Sequence, residues 1–207
     1  VENVTDRPSN PFGMTYPCEP VVPGYGDVNA HFHVLGDHPG VHGGRESGVP
    51  FTDCAAGEAL QRALAAAGLL AATGTPPEVN RTFLSYLYPC VPDGGPSAAD
   101  YAAVEPLVDA ELRAITAHVL LPVGERAIEH VLATHTTEPT PEDPGVLHAR
   151  ELTGSGFLVV PVAEPADWTD GDEERLVECL RELQRTDYRR EVDLGRFLPD
   201  GESYYVR

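Results

Sequence analysis

Apolar positions along the chain follow two rhythms that alternate. Short, nearly continuous apolar runs occur at Ala30-His31-Phe32-His33-Val34-Leu35, Phe83-Leu84-Ser85-Tyr86-Leu87-Tyr88, His118-Val119-Leu120-Leu121-Pro122-Val123 and Phe157-Leu158-Val159-Val160-Pro161-Val162. Runs of this length, bounded by Gly and Pro, predict strands buried on both faces. Between them the apolar positions recur at helical spacing. Leu60, Leu64 and Ala67 mark one face of a helix over residues 56–70, which Gly74 to Pro77 break. Ser97 is placed to cap a helix over about residues 98–116. Gly124 opens a helix to about Ala133, and residues 171–185 form a final amphipathic one. Residues 134–150 are a Thr/Pro/Glu-rich loop. Residues 1–28 lack a period and read as an irregular arm, and residues 187–207 read as a tail whose Tyr204-Tyr205-Val206 fits an edge strand.

Strands alternating with helices predict right-handed βαβ units. The expected fold is α/β, a three-layer α/β/α sandwich around a central, mostly parallel four-stranded sheet. There is no internal repeat and no second core, so residues 1–207 read as one domain with its core at 29–186. Ligands in such sheets bind beyond the carboxyl ends of the strands. Those ends are Gly36–Gly40, Tyr88–Pro92, Pro122–Gly124 and Val162–Ala166.

Charge sharpens this picture. The chain carries 33 acidic and 14 basic residues, a formal net charge of -19, and every basic residue is Arg. A basic nucleic-acid patch as a global property is excluded, as is attraction to an anionic membrane. Disorder is excluded too, because 42% of the residues are hydrophobic and they are periodic. No run approaches 18 apolar residues, and Val1-Glu2-Asn3-Val4 does not begin a secretory signal. A cytoplasmic protein is expected. Its widely spaced Cys18, Cys54, Cys90 and Cys179 are then not expected to form a disulfide framework. At molar salt the Debye length falls to about 3 Å and screens repulsion between surface carboxylates. The acidic, Lys-free composition, with only two Ile, reads as that of a high-salt cytoplasm.

Candidate chemistry gathers near the first strand. His31 and His33 share a strand face, and with Asp37, His38 and His42 they form a permissive metal-ligand spacing. Ring nitrogens hydrogen-bonded on the sheet face account for the two strand histidines equally simply. No C-x-x-C pair begins an iron–sulfur site. The Gly36-Asp37-His38-Pro39-Gly40 turn lacks G-x-G-x-x-G and is no dinucleotide fingerprint, but it puts Asp37 and His38 at a strand end. Six of the 14 arginines fall between Arg181 and Arg207, interleaved with acids, as in a salt-bridged helix and tail or a DNA-contacting edge.

The run Gly36-Asp37-His38-Pro39-Gly40-Val41-His42-Gly43, followed by Gly48-Val49-Pro50-Phe51-Thr52-Asp53 and Gly57, resembles the first motif of the uracil-DNA glycosylase superfamily. That motif reads G-E-x-P-G in the iron–sulfur branch and G-L-A-P-A-x-H-G, then F-T-G-D-x-S-G, in the thermophile-type branch. Later landmarks follow in order. Cys90-Val91-Pro92 is similar to C-x-P, Pro122-Val123-Gly124-Glu125-Arg126-Ala127 to L-G-x-x-A, and Glu164-Pro165 stands at the H-P motif. Coverage is about residues 24–185.

The resemblance implies removal of a damaged base that has been extruded from DNA. Phe51 would stack on the base, with Gly36, Pro39, Gly40, His42, Tyr86 and Glu164 around it. Asp37, at the position of the iron–sulfur branch's Glu, would stabilise the oxocarbenium-like sugar and orient water; Asp53 is the second candidate. His38 or His42 would hydrogen-bond the leaving base or a phosphate. Three positions depart from the family. Glu164 stands in place of its His, Tyr86 in place of an Asn that reads uracil, and Cys54 in place of an Asp. Cys18 and Cys90 match two cluster ligands, but Val104 stands where another would be. No cluster, metal or other cofactor is therefore expected. The expected protein is a monomeric glycosylase for uracil or another deaminated base. It would meet damaged DNA through the face around Gly36–Gly44. One alternative is a member that binds nucleic acid or a nucleotide without excision, suggested by Glu164. Another is a metal-dependent hydrolase built on His31, His33, Asp37 and His38.

Overall fold

A computed structural model describes residues 7–189 and 192. In chain order its elements are β1 (Tyr25–Gly26), β2 (Phe32–Gly36), α1 (Pro39–His42), α2 (Ala55–Ala66), β3 (Leu70–Ala72), β4 (Glu78–Val79), β5 (Thr82–Tyr86), α3 (Ala98–Ile115), β6 (Val119–Pro122), α4 (Glu125–His135), β7 (Leu152–Thr153), β8 (Leu158–Val159) and α5 (Asp172–Leu183). Short 3-10 turns at Pro144–Leu147 and Pro165–Asp167 complete it.

The main sheet has the order β1-β5-β2-β6-β8-β7. Its four inner strands are parallel, as expected. The sheet has six strands rather than four, because β1 and β7 add antiparallel edges. Both edges are two residues long and follow no apolar period, so only their pairing reveals them. β1 lies within the segment that reads as an irregular arm. A separate hairpin joins β3 to β4.

Side-chain alternation explains why the inner strands are apolar throughout. Phe32 and Val34 point to one core, with Leu84, Val119, Leu121 and Val160; Leu60 and Leu64 of α2 and Leu176 and Leu180 of α5 cover it. Leu35, Leu120 and Val159 point to the other, beneath Val108 and Leu112 of α3 and Ile128 and Val131 of α4. A strand between two helical layers has no solvent face, so both parities must be apolar. At the start of α3, Ser97 and Asp100 form a reciprocal capping box. In α5, Arg181 binds the Ala66 carbonyl and Arg185 pairs with Glu182. The far tail, with Tyr204-Tyr205-Val206, Arg190, Arg196 and Arg207, lies outside the described residues.

Cys18 and Cys90 form a disulfide, contrary to the expectation from the sequence. Edge pairing brings them together. Val21 bridges Cys90, the Val22 amide donates to the Pro89 carbonyl and the Val91 amide to the Pro20 carbonyl. The arm is thereby tied to the end of β5 across 72 residues of chain.

One polar cluster is buried in the α3 side of the sheet. His33 Nε2 lies 2.7 Å from the Ser85 hydroxyl. Burial raises the Glu111 carboxyl to about 7, partly offset by a Ser85 hydrogen bond. Burial also lowers His33 to about 3. Both groups are therefore neutral in the fold near pH 6.

Two outcomes follow for stability. Cys18→Ser should lower the unfolding free energy by about 2–4 kcal/mol, read from the shift in denaturant midpoint. The second concerns pH. Unfolded Glu111 ionises near 4.5 but the folded residue only near 7, so stability drains as pH rises through that window. Unfolded His33 protonates near 6.5 but the buried ring only near 3, so stability also drains as pH falls below 6.5. Glu111→Gln should abolish the alkaline loss, a gain of up to about 3 kcal/mol above pH 7. The acid limb should remain. Urea unfolding below pH 4.5 and above pH 6.5, outside the window where the two slopes cancel, measures both limbs.

Candidate active site

After β2 the chain passes through α2 on one face of the sheet, and after β6 through α4 on the other. The crevice between the carboxyl ends of β2 and β6 is thus the topological switch point, where open α/β sheets bind ligands. Asp37, His38, His42, Gly124 and Glu164 converge there.

Asp37 follows the last residue of β2. Its carbonyl accepts from the Tyr88 amide at 3.0 Å, and its own amide donates to His42 Nδ1 at 3.0 Å. Tyr101 of α3 donates its hydroxyl to Asp37 Oδ1. The second oxygen, Oδ2, faces His38 Nε2 at 4.0 Å, and the side chain keeps 17% exposure. His38 caps α1, its Nδ1 accepting from the Gly40 amide at 2.9 Å. In the neutral ring the proton is therefore on Nε2, toward Asp37. Burial lowers the His38 pKa, which the Asp37 charge only partly opposes. Pro39 occupies the first helical position, where its missing N–H costs nothing.

His42 is fully buried and uses both ring nitrogens. With Nδ1 accepting from Asp37, Nε2–H is free to donate to Glu164 Oε2 at 3.0 Å. Burial of Glu164 disfavours its charge. The hydrogen bond from His42, with the Ala166 amide, outweighs that and holds its pKa below the usual carboxylate value. Glu164 is thus paired, and it ties the loop after β2 to the end of β8. Gly124 lies between them at φ 82°; a Cβ there would stand 2.9 Å from Glu164 Oε2.

Phe51 is 1% exposed. Its ring packs against His42 at 5.6 Å and Tyr86 at 5.1 Å between centroids. The Tyr86 hydroxyl accepts from the Phe51 amide at 2.7 Å and shares its one proton between the carbonyls of His42 and Gly43, each at 3.0 Å. All three rings press on Gly36, whose missing Cβ would meet Phe51, His42 and Tyr86 at 2.7–2.9 Å. In this structure the face of Phe51 assigned to an extruded base is covered by the protein's own side chains.

Asp53 stands apart from this group. Its pKa is lowered chiefly by hydrogen bonding from the Ser47 side chain and further by the Ser47 amide, which donates to Oδ2 at 2.8 Å. It lines a separate polar cavity with Thr52, Glu58, Gln61 and Arg62, to which Asp37 does not contribute. Cys54 caps α2 through its sulfur. His31 contacts Tyr188 at 3.1 Å, whereas His33 lies in the Glu111 cluster. The structure therefore does not gather His31, His33, Asp37 and His38 into one metal site. Among the described residues no group of three or more His, Cys, Asp and Glu could hold a metal ion. Sequence reasoning missed Tyr101, 64 residues from its partner Asp37, and Arg126, whose guanidinium lies 4.4 Å over the Tyr101 ring. A helical Tyr carries no local signal of such a contact.

A family model described as the uracil DNA glycosylase superfamily matches residues 23–184, well over half of the chain. No curated protein matches it.

The geometry makes His42 a structural keystone. His42→Ala should leave the Asp37 amide and Glu164 without a partner and open a void against Phe51, costing about 3–5 kcal/mol. Glu164→Gln keeps an acceptor for His42 and should cost about 1 kcal/mol or less. Because the Glu164 pKa is depressed, its contribution is present above the unfolded carboxylate pKa and is lost as pH falls. The gap between Glu164→Gln and wild type in urea unfolding should therefore close in acid.

Proposed function

Because the chain belongs to the uracil DNA glycosylase superfamily, we propose that it hydrolyses the N-glycosidic bond of a deaminated base in DNA. The observation that carries this reading is the Asp37 carboxylate. It stands partly exposed at the end of the central strand, with one oxygen fixed by Tyr101 and the other facing the neutral His38 ring.

Bond cleavage leaves a cationic sugar and an anionic base. The negative charge of the Asp37 carboxylate stabilises that cation. The 4.0 Å between Asp37 Oδ2 and His38 Nε2 is too long for a direct hydrogen bond and suits a bridging water. In this reading that water is the nucleophile. Asp37 orients it and takes its proton, and its oxygen adds to the sugar carbon. Tyr101 keeps the carboxylate in one orientation. Glu164 need not repel the departing base, since its charge is engaged by His42.

DNA meets the face around Gly36–Gly44, a run in which Asp37 is the only acid and beside which Glu164 is paired with His42. Attraction by counterion release fades steeply with salt, so with a net charge of -19 binding rests on pocket shape, stacking and backbone contacts. A high-salt cytoplasm fits this composition. The covered face of Phe51 favours a second reading, a member that binds DNA without excision.

One assay separates the two readings. Uracil- and hypoxanthine-containing oligonucleotides are incubated with the protein at molar KCl, and abasic sites are counted. Excision by wild type, reduced about 10²–10⁴-fold in Asp37→Asn, is the expected result. Asp53→Asn should excise at nearly the wild-type rate. A folded wild type that releases neither base would leave the binding reading in its place.

A further inference from the structure

We propose that Arg126 is a positioning residue for Asp37: its guanidinium holds the Tyr101 ring so that the hydroxyl stays on Oδ1 and Oδ2 alone meets the attacking water. This deepens the base-excision reading above and rests on it. The guanidinium carbon lies 4.4 Å from the centroid of the Tyr101 ring, within reach of a cation–π contact. Glu105 and Glu129 line the same groove, yet among the described residues Arg126 has no carboxylate within ion-pairing distance. It takes the aromatic face instead.

Both residues stand on rigid elements. Along α3, Tyr101 heads the row Tyr101, Val104, Val108, Leu112 and Ile115, whose last four members are buried. That spacing turns Tyr101 toward the sheet, where its hydroxyl reaches Asp37 Oδ1. Arg126 is the second residue of α4, which Ala127, Ile128, Val131 and Leu132 anchor in the core. A third contact comes from just beyond β5. The Tyr88 ring lies 5.5 Å from that of Tyr101 between centroids, and the Tyr88 amide holds the Asp37 carbonyl. Tyr101 and Arg126 both line a cavity of about 360 Å³ between α3 and α4. With Arg126 cut short, the ring can swing into that space and carry its hydroxyl off the carboxylate. Both oxygens of Asp37 then compete for water, and fewer encounters start from the productive geometry.

The guanidinium charge acts in the same direction. Burial raises the Tyr101 pKa, as do the hydrogen bond and charge of Asp37; Arg126 opposes them and makes the hydroxyl the stronger donor. The same charge reaches His38. Burial lowers the His38 pKa, Asp37 raises it, and the charges of His42, Arg45 and Arg126 lower it further. The ring that faces Oδ2 is thus kept neutral in part by Arg126.

The test is a double-mutant cycle in the full chain at molar KCl. It uses the uracil- and hypoxanthine-containing oligonucleotides as substrates, with NMR of the free protein beside them. Arg126 is exposed at the start of α4, so Arg126→Gln and Arg126→Lys should unfold like wild type. Arg126→Gln should lower kcat about tenfold with KM little changed. Arg126→Lys, which keeps a cation for the ring, should recover part of the loss. Tyr101→Phe removes the hydroxyl, and Arg126→Gln should cost nothing more in that background. Equal losses in both backgrounds, or a rise in KM alone, would place Arg126 on the DNA and overturn the proposal. The NMR arm needs no turnover. In Arg126→Gln the nuclear Overhauser contact between the Tyr101 and Tyr88 rings should weaken, and the His38 titration should move to higher pH. Wild type that excises neither base, with both changes seen in Arg126→Gln, would remove the enzymatic reading and leave Arg126 holding Tyr101. An unchanged ring contact and His38 titration would overturn the proposal whether or not wild type excises, and excision would then leave the enzymatic reading intact.

Discussion

The candidate site depends on one buried imidazole. His42 has two nitrogens and uses each in a different direction. It accepts the Asp37 amide on one side and donates to Glu164 on the other. That fixes its tautomer, orients the loop after β2 and joins two strand ends across the switch point of the sheet. The same ring packs against Phe51 and Tyr86, so the backbone that carries Asp37 and the aromatic cluster beneath it are set by one group. A polar residue in so dry a place is tolerable because every hydrogen bond it offers is taken.

Placing Asp37 this way divides the neighbourhood in two. On the α2 side, Tyr86 seals the aromatic cluster through its hydroxyl, and Gly36 lets three rings crowd the strand end. On the α3 side, Tyr101 reaches the Asp37 carboxylate and carries Arg126 above it, next to open space. The carboxylate therefore communicates with the side that is open.

Beneath the site the sheet carries a second polar group that takes no part in it. His33 and Glu111 flank Ser85, and burial keeps both neutral. Their opposite displacements give this pair a stability plateau between the unfolded values of 4.5 and 6.5, in mild acid, without a charge in that core. The Cys18–Cys90 bond, the backbone pairing beside it and the buried Val22 and Tyr25 hold the arm to the sheet edge.

Periodicity alone located the four parallel strands and the helices between them, because burial on both faces forces continuous apolar runs. It also placed Asp37 and His38 at a strand end, since glycine and proline punctuate that turn. The edge strands β1 and β7 were not legible, because two-residue pairings leave no period. Nor was the disulfide, which needs two distant segments to meet at a sheet edge. Glu164 in the sequence is a charge in the wrong place; only the fold supplies the His42 partner that makes it a tether. Phe51 reads from the sequence as a stacking ring or a core residue, and only packing shows His42 and Tyr86 against it. Tyr101 and Arg126 have no local signature at all. Sequence determined the layers and the strand-end turn, both set by neighbours along the chain. Tertiary structure decided which side chains meet there, because those contacts join residues 35 to 122 positions apart.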